Sequence, residues 1–341
     1  MSLFLNYLAA LIGVFLVAEV AVRLFGQRPW KPSRGKRAWR IEPEDTLYAK
    51  DAKLGHTHLA GKHRAVSNRD PSHSFILTHG SDTLRVTSPP ERTPQHDTRS
   101  EIWIFGCSYT HGWGINDWET YPWLLQERYP EYHVINFGVT AYGTIHSLIQ
   151  FEQRIASGRK PACVVLAYSG RHDMRNTMSR HMSKKITAVN ALGALVEPHA
   201  YFSADGKLSY EARLVEYKPW PLMRYSAFIH TLEEMFTRWE MSLHRNHEVT
   251  LAAIRRFREI ATHLGSPFVI AGIYRVRANM RRTLESDRFL KVNISVDLGD
   301  PKNNCRPYDP HPSAAANRVY ADKLSAFLDA NVFGNLPAEV S

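Results

Sequence analysis

The chain is poor in cysteine, and its cysteines follow no spacing of a known kind. Cys107, Cys163 and Cys305 are the only three in 341 residues, with no CxxC pair and no zinc-ligand spacing. Neither a disulfide framework nor a metal site is therefore indicated, although one disulfide with a spare thiol stays open. Internal repeats, heptads and nucleic-acid signature motifs are also missing. We predict no metal, no cofactor and no nucleic-acid partner.

Acidic residues are outnumbered by basic ones, which gives the chain a positive charge. There are 33 Asp and Glu against 43 Lys and Arg, a formal net charge of +10. Such a charge bears on solubility and on nonspecific attraction to anionic surfaces, and it does not identify a partner. The hydrophobic share of 44% allows a sizeable core, which excludes a disordered protein and fits one or two domains.

One long apolar run occupies the N-terminus. Leu3 to Leu24 is interrupted only by Asn6, Glu19 and Arg23, and a helix of about 20 residues spans a hydrocarbon core. Signal peptides have a shorter apolar region and end in small residues, whereas this run continues. We predict an uncleaved transmembrane anchor over residues 1–26; a cleaved signal peptide and a buried core helix are the alternatives.

The side of the membrane on which the body lies is ambiguous. Seven basic residues end or follow the apolar run: Arg23, Arg28, Lys31, Arg34, Lys36, Arg37 and Arg40. The positive-inside tendency would place the body in the cytoplasm, but it is not decisive for one span followed by a long domain.

Residues 27–100 differ in composition from the remainder. They are rich in Pro, Arg, His and Ser, and their first part is typical of a basic juxtamembrane linker. Two short runs, Phe75 to His79 and Thr83 to Thr87, flank a turn at Gly80 to Asp82. We therefore predict a small hairpin before the main domain.

Residues 101–332 alternate between apolar strands and helical stretches, which is typical of a parallel sheet covered on both faces. We predict an α/β, flavodoxin-like three-layer sandwich. The predicted strands are Glu101 to Phe105, His133 to Phe137, Ala162 to Tyr168, Pro267 to Tyr274 and Phe289 to Val296. Residues 178–248 have mixed patterns and are predicted to be an insertion or lid. Their His181, Trp220 and Tyr225 could contact substrate, although no spacing supports this.

Two segments far apart in the chain supply the members of a Ser-His-Asp triad. Ser108 follows the first predicted strand, while Asp309 and His311 precede the last predicted helix, for which Pro312 and Ser313 provide start signals. Ligands of open α/β sheets bind beyond the carboxyl ends of the strands. Ser108 would act as nucleophile, His311 as general base and Asp309 as the group that orients His311.

Four separated segments resemble the blocks of the SGNH/GDSL hydrolase family, and they occur in the family's order. The segments are Phe105 to Thr110, Asn136 to Val139, Val164 to Asp173 and Asp309 to Pro312. The resemblance covers roughly residues 100 to 330. It implies an acyl ester hydrolase with Ser108 as nucleophile, and it favours an envelope-facing body because it points to exported acyl-glycan chemistry.

The resemblance also implies an oxyanion hole, and here the chain departs from the family. Backbone N–H groups of Ser108 and Gly138 would contribute, but His172 stands where the family usually has Asn. An imidazole can donate only if the correct nitrogen is protonated and aimed. The spacing from Asp309 to His311 is also one residue shorter than the commoner family form.

Structural readings of these residues stay open beside the functional ones. Ser108 could be a helix cap, His311 a helix flank, and His172 a member of a surface group with Asp173 and Arg175. Cys107 is predicted to be a small buried residue. Four aromatic residues after the serine favour core packing over a substrate cleft: Trp113, Trp118, Tyr121 and Trp123.

Three functions are consistent with the sequence. The first is a membrane-tethered serine esterase that removes acyl groups, for example acetyl, from a glycan, lipid or other envelope component. The second is an acyltransferase on the same scaffold, distinguished only by the access of water to the acyl-enzyme. The third is a non-catalytic binding protein that lost its oxyanion hole, since a fold does not fix a function. The sequence does not indicate an oligomeric state.

Overall fold

The computed structural model describes residues 2–32, 38–89, 91 and 98–334. Part of the basic run, at residues 33–37, lies outside these ranges. The strands are β1 Trp39–Glu42, β2 Tyr48–Asp51, β3 Gly55–His58, β4 Gly61–Ser67, β5 Ser74–His79, β6 Ser100–Phe105, β7 Tyr132–Asn136, β8 Pro161–Ser169, β9 Val196–Phe202, β10 Leu208–Leu214, β11 Phe268–Tyr274 and β12 Leu290–Asn293. The helices are α1 Ser2–Leu24, α2 Ser108–His111, α3 Tyr121–Arg128, α4 Thr144–Ala156, α5 His172–Asn176, α6 Arg180–Val189, α7 Ala227–Leu243, α8 Asn246–His263, α9 Ala278–Ser286 and α10 Ala314–Leu328.

A five-stranded parallel sheet forms the centre of the molecule. Its order is β12-β11-β8-β6-β7, so the first strand of the domain, β6, lies between the second and the third. This is the flavodoxin-like order, and the predicted α/β fold is confirmed. All five predicted strands occur, and their ends differ from the predicted ends by at most three residues.

Both faces of the sheet are buried under helices. Side chains of a strand alternate between the faces, so Ile102 and Ile104 of β6 pack with α3 and α10, while Trp103 and Phe105 pack with α4 and α8. The strands therefore have to be apolar on both sides, which explains their continuous hydrophobic runs.

The N-terminal region contains more strand than the sequence predicted. β1, β4 and β5 form an antiparallel sheet, and β2 pairs with β3. The predicted hairpin is wrong in its second strand, because residues 83–87 form no ladder. Within them Arg85 makes only isolated bridges, to His79 and to Asn136 of the central sheet. The region is thus joined to the main domain through Arg85.

The apolar N-terminal run is one helix, α1. Leu3–Leu24 has a mean hydropathy of 2.1, and none of the apolar window is buried. By length and composition this helix could cross a membrane, and a signal sequence would pass the same test.

The carboxyl end of α1 is attached to the body. Glu19 accepts hydrogen bonds from the Ser226 hydroxyl (2.6 Å) and from the backbone N–H groups of Ala227 and Phe228 (both 2.9 Å), at the start of α7. Just beyond α1, the N–H of Trp30 donates to the Met223 carbonyl. The chain next to α1 therefore lies along the body, at least in this described part, and is not a free tether there.

Candidate active site

Ser108 is the first residue of α2, directly beyond the carboxyl end of β6. The turn is tight, because a Cβ on Gly106 would overlap the side chain of Thr110. The N–H groups in the first turn of a helix lack partners within the helix, and the backbone N–H of Ser108 donates to no group of the described residues. The serine thus combines a hydroxyl with a free backbone donor at the edge of the sheet.

His311 comes from the loop before α10 and reaches Ser108. The helix starts where the sequence predicted, with Ser313 as its N-cap. His311 Nε2 lies 2.9 Å from Ser108 Oγ, and His311 Nδ1 forms a short hydrogen bond with Asp309 Oδ1. The backbone N–H of His311 also donates to Asp309 Oδ1, at 2.9 Å. Folding therefore brings the three predicted triad residues together.

The partners of His311 determine which ring nitrogen carries the proton. An ionised carboxylate only accepts hydrogen bonds, so Nδ1 must be the donor to Asp309. Nε2 is then left with a lone pair facing the Ser108 hydroxyl. This is the tautomer that a general base for Ser108 requires.

Two tryptophans hold the second oxygen of Asp309. Trp113 Nε1 donates to Oδ2 at 3.1 Å, and Trp39 Nε1 does so at 3.3 Å. Burial acts to raise the pKa of Asp309, but the hydrogen bonds and charge of His311, together with the Trp113 N–H, outweigh it, so the pKa lies below 3.8. Asp309 therefore stays ionised beside His311. The sequence did not single out Trp39 and predicted Trp113 mainly as a packing residue.

The predicted oxyanion donors do not converge as clearly as the triad. The Gly138 N–H donates to Asn136 Oδ1 at 2.9 Å. His172 is fully buried, its Nδ1 lies 3.3 Å from Thr144 Oγ1, and its Nε2 has no hydrogen-bond partner within the described part of the chain. Burial keeps the pKa of His172 well below 6.5, so the ring is neutral. Of the three predicted donors, the Gly138 N–H is occupied, whereas the Ser108 N–H and His172 Nε2 find no partner among the described residues.

His172 and Asp173 are not the surface group that the sequence left open. Both are completely buried, and Asp173 accepts a hydrogen bond from the Tyr168 hydroxyl at 2.7 Å. A nearby amide, Asn176, is also engaged, because it accepts from the Ile145 N–H and donates to Thr250. The amide of Asn176 is therefore engaged in hydrogen bonds and is not free to act as the oxyanion donor that the family usually takes from Asn.

Arg85 fixes the segment that follows the nucleophile. Its buried guanidinium pairs with Asp117 at 2.9 Å and donates to the carbonyls of His111 and Gly112. An arginine offers five donors in a planar fork, which suits several carbonyls at once. This role was missed because nothing in the local sequence around Arg85 indicates burial.

Three buried histidines stack beneath α2. His111 Nε2 lies 3.0 Å from His79 Nε2, and the His58 ring stacks on both at 4.2 and 4.4 Å. Their nitrogens lie close enough to hold a metal ion. Metal-binding histidines usually donate their second N–H to an acceptor, and the Nδ1 atoms of all three lack one in the described chain. The residues thus fit a neutral packed stack better than a metal centre.

A largely apolar cavity of about 430 Å³ adjoins the tryptophans that contact Asp309. Its wall combines Trp39 and Trp113 with Met178, Met182 and α6 of the predicted lid segment. Within the described chain, the other predicted substrate contacts are not part of this wall: His181, Trp220 and Tyr225.

The remaining aromatic residues after Ser108 follow the packing prediction in part. Tyr121 and Trp123 are buried, whereas Trp118 is 52% exposed. Cys107 is buried beside the serine, as predicted.

The fold and the site together define a class: an α/β protein with a flavodoxin-like sheet and a Ser-His-Asp set at its carboxyl edge. No family model matches the chain, and no curated protein matches it. Solved structures to which it is similar include a member of the lipolytic G-D-S-L family from Veillonella parvula, at 12% identity and a TM-score of 0.38, covering 70% of this chain and 100% of that one.

Two further similar structures are described as esterases. A psychrotrophic esterase from Pseudoalteromonas sp. has 10% identity and a TM-score of 0.38, covering 68% of this chain and 97% of that one. A catalytic mutant of an acetylxylan esterase from Geobacillus stearothermophilus has 12% identity and a TM-score of 0.37, covering 69% and 96%. At these scores and identities, nothing about the activity of this chain follows from the likeness.

Proposed function

We propose that the protein is a serine ester hydrolase of the SGNH kind, with Ser108 as nucleophile, His311 as general base and Asp309 as its orienting acid. The observation that carries this proposal is the 2.9 Å contact of His311 Nε2 with Ser108 Oγ, combined with the bond of His311 Nδ1 to Asp309. His311 takes the hydroxyl proton as Ser108 attacks the carbonyl, and returns it to the leaving alcohol. Water then releases the acyl group from Ser108.

Negative charge on the carbonyl oxygen has to be received by nearby donors. We assign this role first to the Ser108 N–H and second to the Gly138 N–H, which would have to exchange its bond to Asn136 for one to the substrate. His172 remains the third proposed donor, only because it stands in the sequence where the family usually has Asn. Loss of one such donor costs roughly 10² to 10³ in rate.

The direct test is the Ser108→Ala variant with 4-nitrophenyl acetate. Turnover should fall to background while the circular dichroism spectrum and thermal midpoint stay unchanged, because only one hydroxyl is removed. Ser147→Ala is a matched control, since Ser147 is buried and its hydroxyl has no partner in the ranges that the structure describes. Full activity of Ser108→Ala would end the triad proposal.

Two observations favour a second function, a non-catalytic binding protein. The Gly138 N–H is occupied, and His172 makes no hydrogen bond with the triad. A fluorophosphonate probe separates the two functions, because it reacts only with an activated serine. Covalent labelling of Ser108 that is lost in His311→Ala supports the hydrolase, and absence of labelling in the unmodified protein supports the binding protein.

We also infer that α1 is retained and anchors the protein. The Glu19 carboxylate holds the start of α7, and a cleaved signal peptide would take this contact away from the body. The mass of the purified protein tests retention: a chain that begins after residue 26 would contradict it. A reporter fused to the carboxyl terminus then reports on which side of the membrane the body lies.

A further inference from the structure

A group of cations lies next to the proposed nucleophile. The residue after Ser108 is Tyr109, whose ring centre is 5.5 Å from that of His311 and 5.4 Å from that of Tyr274. Tyr274 ends β11 at the same edge of the sheet. Tyr109, which is buried, and Tyr274 thus form an aromatic contact that connects the triad to the neighbouring loop.

Two arginines stack on the Tyr274 ring. The guanidinium carbon of Arg171 lies 5.0 Å from the centre of the Tyr274 ring, and that of Arg275 lies 5.1 Å from it. A cation over an aromatic face is attracted by the ring quadrupole. Both arginines are exposed to solvent, so their charged groups are accessible to a ligand.

The backbone holds the two arginines close together. The Gly170 N–H donates to the Tyr274 carbonyl at 2.9 Å, and a Cβ on Gly170 would overlap the Arg275 carbonyl. Arg275 itself has a positive φ of 46°, which is unusual for a residue with a side chain. The arrangement therefore depends on a close approach of two loops and on a strained residue.

A third arginine joins the pair. Arg175 follows one turn after Arg171 and lines the apolar cavity. The cationic rim is defined here as Arg171, Arg175 and Arg275.

No carboxylate of the described residues forms an ion pair with any member of the cationic rim. Arg180, by contrast, stacks on the Tyr217 ring and also pairs with a carboxylate, that of Glu233 at 2.9 Å. Like charges held near one another repel, and stacking on Tyr274 offsets only part of this repulsion. An anion placed between them would relieve the repulsion, and guanidinium groups match the planar geometry of carboxylate and phosphate oxygens.

We propose that the cationic rim binds an anionic group, carboxylate or phosphate, of the ester substrate beside Ser108. This inference rests on the proposed ester hydrolysis and specifies its substrate class: acyl esters of an anionic molecule. The anion lies on the rim while the scissile carbonyl faces Ser108.

A matched pair of esters tests the preference. 4-Acetoxybenzoate carries a carboxylate, and its methyl ester has the same reacting bond without the charge. We expect kcat/KM for the charged ester to exceed that for the neutral one by at least about tenfold, mainly through KM, because the carboxylate gains charge-assisted hydrogen bonds from the rim. The preference should shrink as salt is added. Equal kcat/KM values would overturn the proposal.

Variants connect the preference to the rim. In Arg171→Gln/Arg275→Gln the ratio of the two kcat/KM values should fall at least about tenfold, since two charged contacts are lost. Arg238→Gln is the control, because Arg238 is an exposed arginine on α7. A ratio that falls equally in both variants would mean that only net charge matters, and would contradict the site.

A binding measurement without turnover distinguishes this inference from the proposed function. In Ser108→Ala, glucuronate or glycerol phosphate should raise the thermal midpoint above that in sodium chloride of equal ionic strength, and the gain should disappear when Arg171→Gln/Arg275→Gln is added. The ligand with the larger gain identifies the source of the anion as a uronate or a phosphate. If neither ligand raises the midpoint, the anion site is wrong even where ester turnover is present. If the gain occurs but no ester is hydrolysed, the proposed hydrolysis fails and the anion site stands.

Discussion

At the scale of single residues, the orientation of Asp309 depends on groups that no local pattern contains. Ser108, Asp309 and His311 could be predicted because each lies beside a strand end or a helix start that the sequence itself marks. Trp39 and Trp113 could not, because their N–H groups meet Asp309 Oδ2 only after the N-terminal region packs on the domain.

Removing one of these N–H groups should weaken the triad without breaking it. Trp113→Phe leaves a ring of similar shape but no donor, which raises the pKa of Asp309 towards 3.8. The ionised carboxylate is favoured above its pKa, so activity should be lost at a higher pH on acidification than in the unmodified protein. At neutral pH we expect kcat to fall about tenfold, the effect of one hydrogen bond to a charged group.

The measurement is a pH profile of kcat/KM from about pH 2.5 to 8, because the Asp309 carboxyl titrates below 3.8. Trp118→Phe is the matched control, because Trp118 is 52% exposed and makes no hydrogen bond to Asp309. If both variants give the same profile and the same kcat, Trp113 does not position the triad.

At the scale of elements, strands buried on both faces were predictable and strands with one exposed face were not. β6, β8 and β11 are continuous apolar runs, which few other elements produce. β2 to β4 contain Lys, His and Thr, residues that also occur in loops, so the region was predicted as a linker with a hairpin. The N-terminal region in fact contains five strands, β1 to β5, and two of them carry His58 and His79 of the histidine stack.

The histidine stack should make the fold sensitive to acid. Burial keeps the pKa of His79 well below 6.5, and the charges of nearby Arg85 and His63 act in the same direction. Burial also lowers the pKa values of His58 and His111 well below 6.5. The unfolded chain then binds more protons than the folded one below about pH 6.5. Stability is therefore complete above that pH and is lost as the pH falls, by about 1.4 kcal/mol per pH unit for each histidine.

His79→Gln tests this at one position. The slope of the free energy of unfolding between pH 7 and 5 should decrease by about one proton relative to the unmodified protein. His263→Gln, at an exposed histidine of α8, should keep the full slope. Parallel slopes in all three proteins would show that the stack is not the source of acid sensitivity.

At the scale of the whole molecule, two polar residues of the apolar run, Glu19 and Arg23, have a structural role that composition could not predict. In the sequence, Glu19 only weakens a predicted span. In the structure, its carboxylate caps α7 and bonds Arg23, which also donates to the Tyr225 carbonyl. Acidic groups are favourable at helix N-termini because of the unpaired N–H groups there.

Glu19→Ala should therefore loosen the start of α7. We expect a loss of about 1–2 kcal/mol, the typical effect of removing an N-cap, seen as faster trypsin cleavage at Arg224 in detergent micelles. Asn6→Ala, an exposed polar change in the same helix, should cleave at the original rate. Equal rates in the two variants would mean that α1 and the body are joined only by the chain.

The Glu19 contact also affects how far from the membrane the site at Ser108 lies. A protein on a flexible linker takes many heights and orientations above the membrane. A protein that is rigidly attached to its own membrane helix keeps a constant height and tilt. With α1 inserted, the opening beside Ser108 would contact only those molecules that extend to that height above the bilayer. Distance from the membrane would then help to select the substrate.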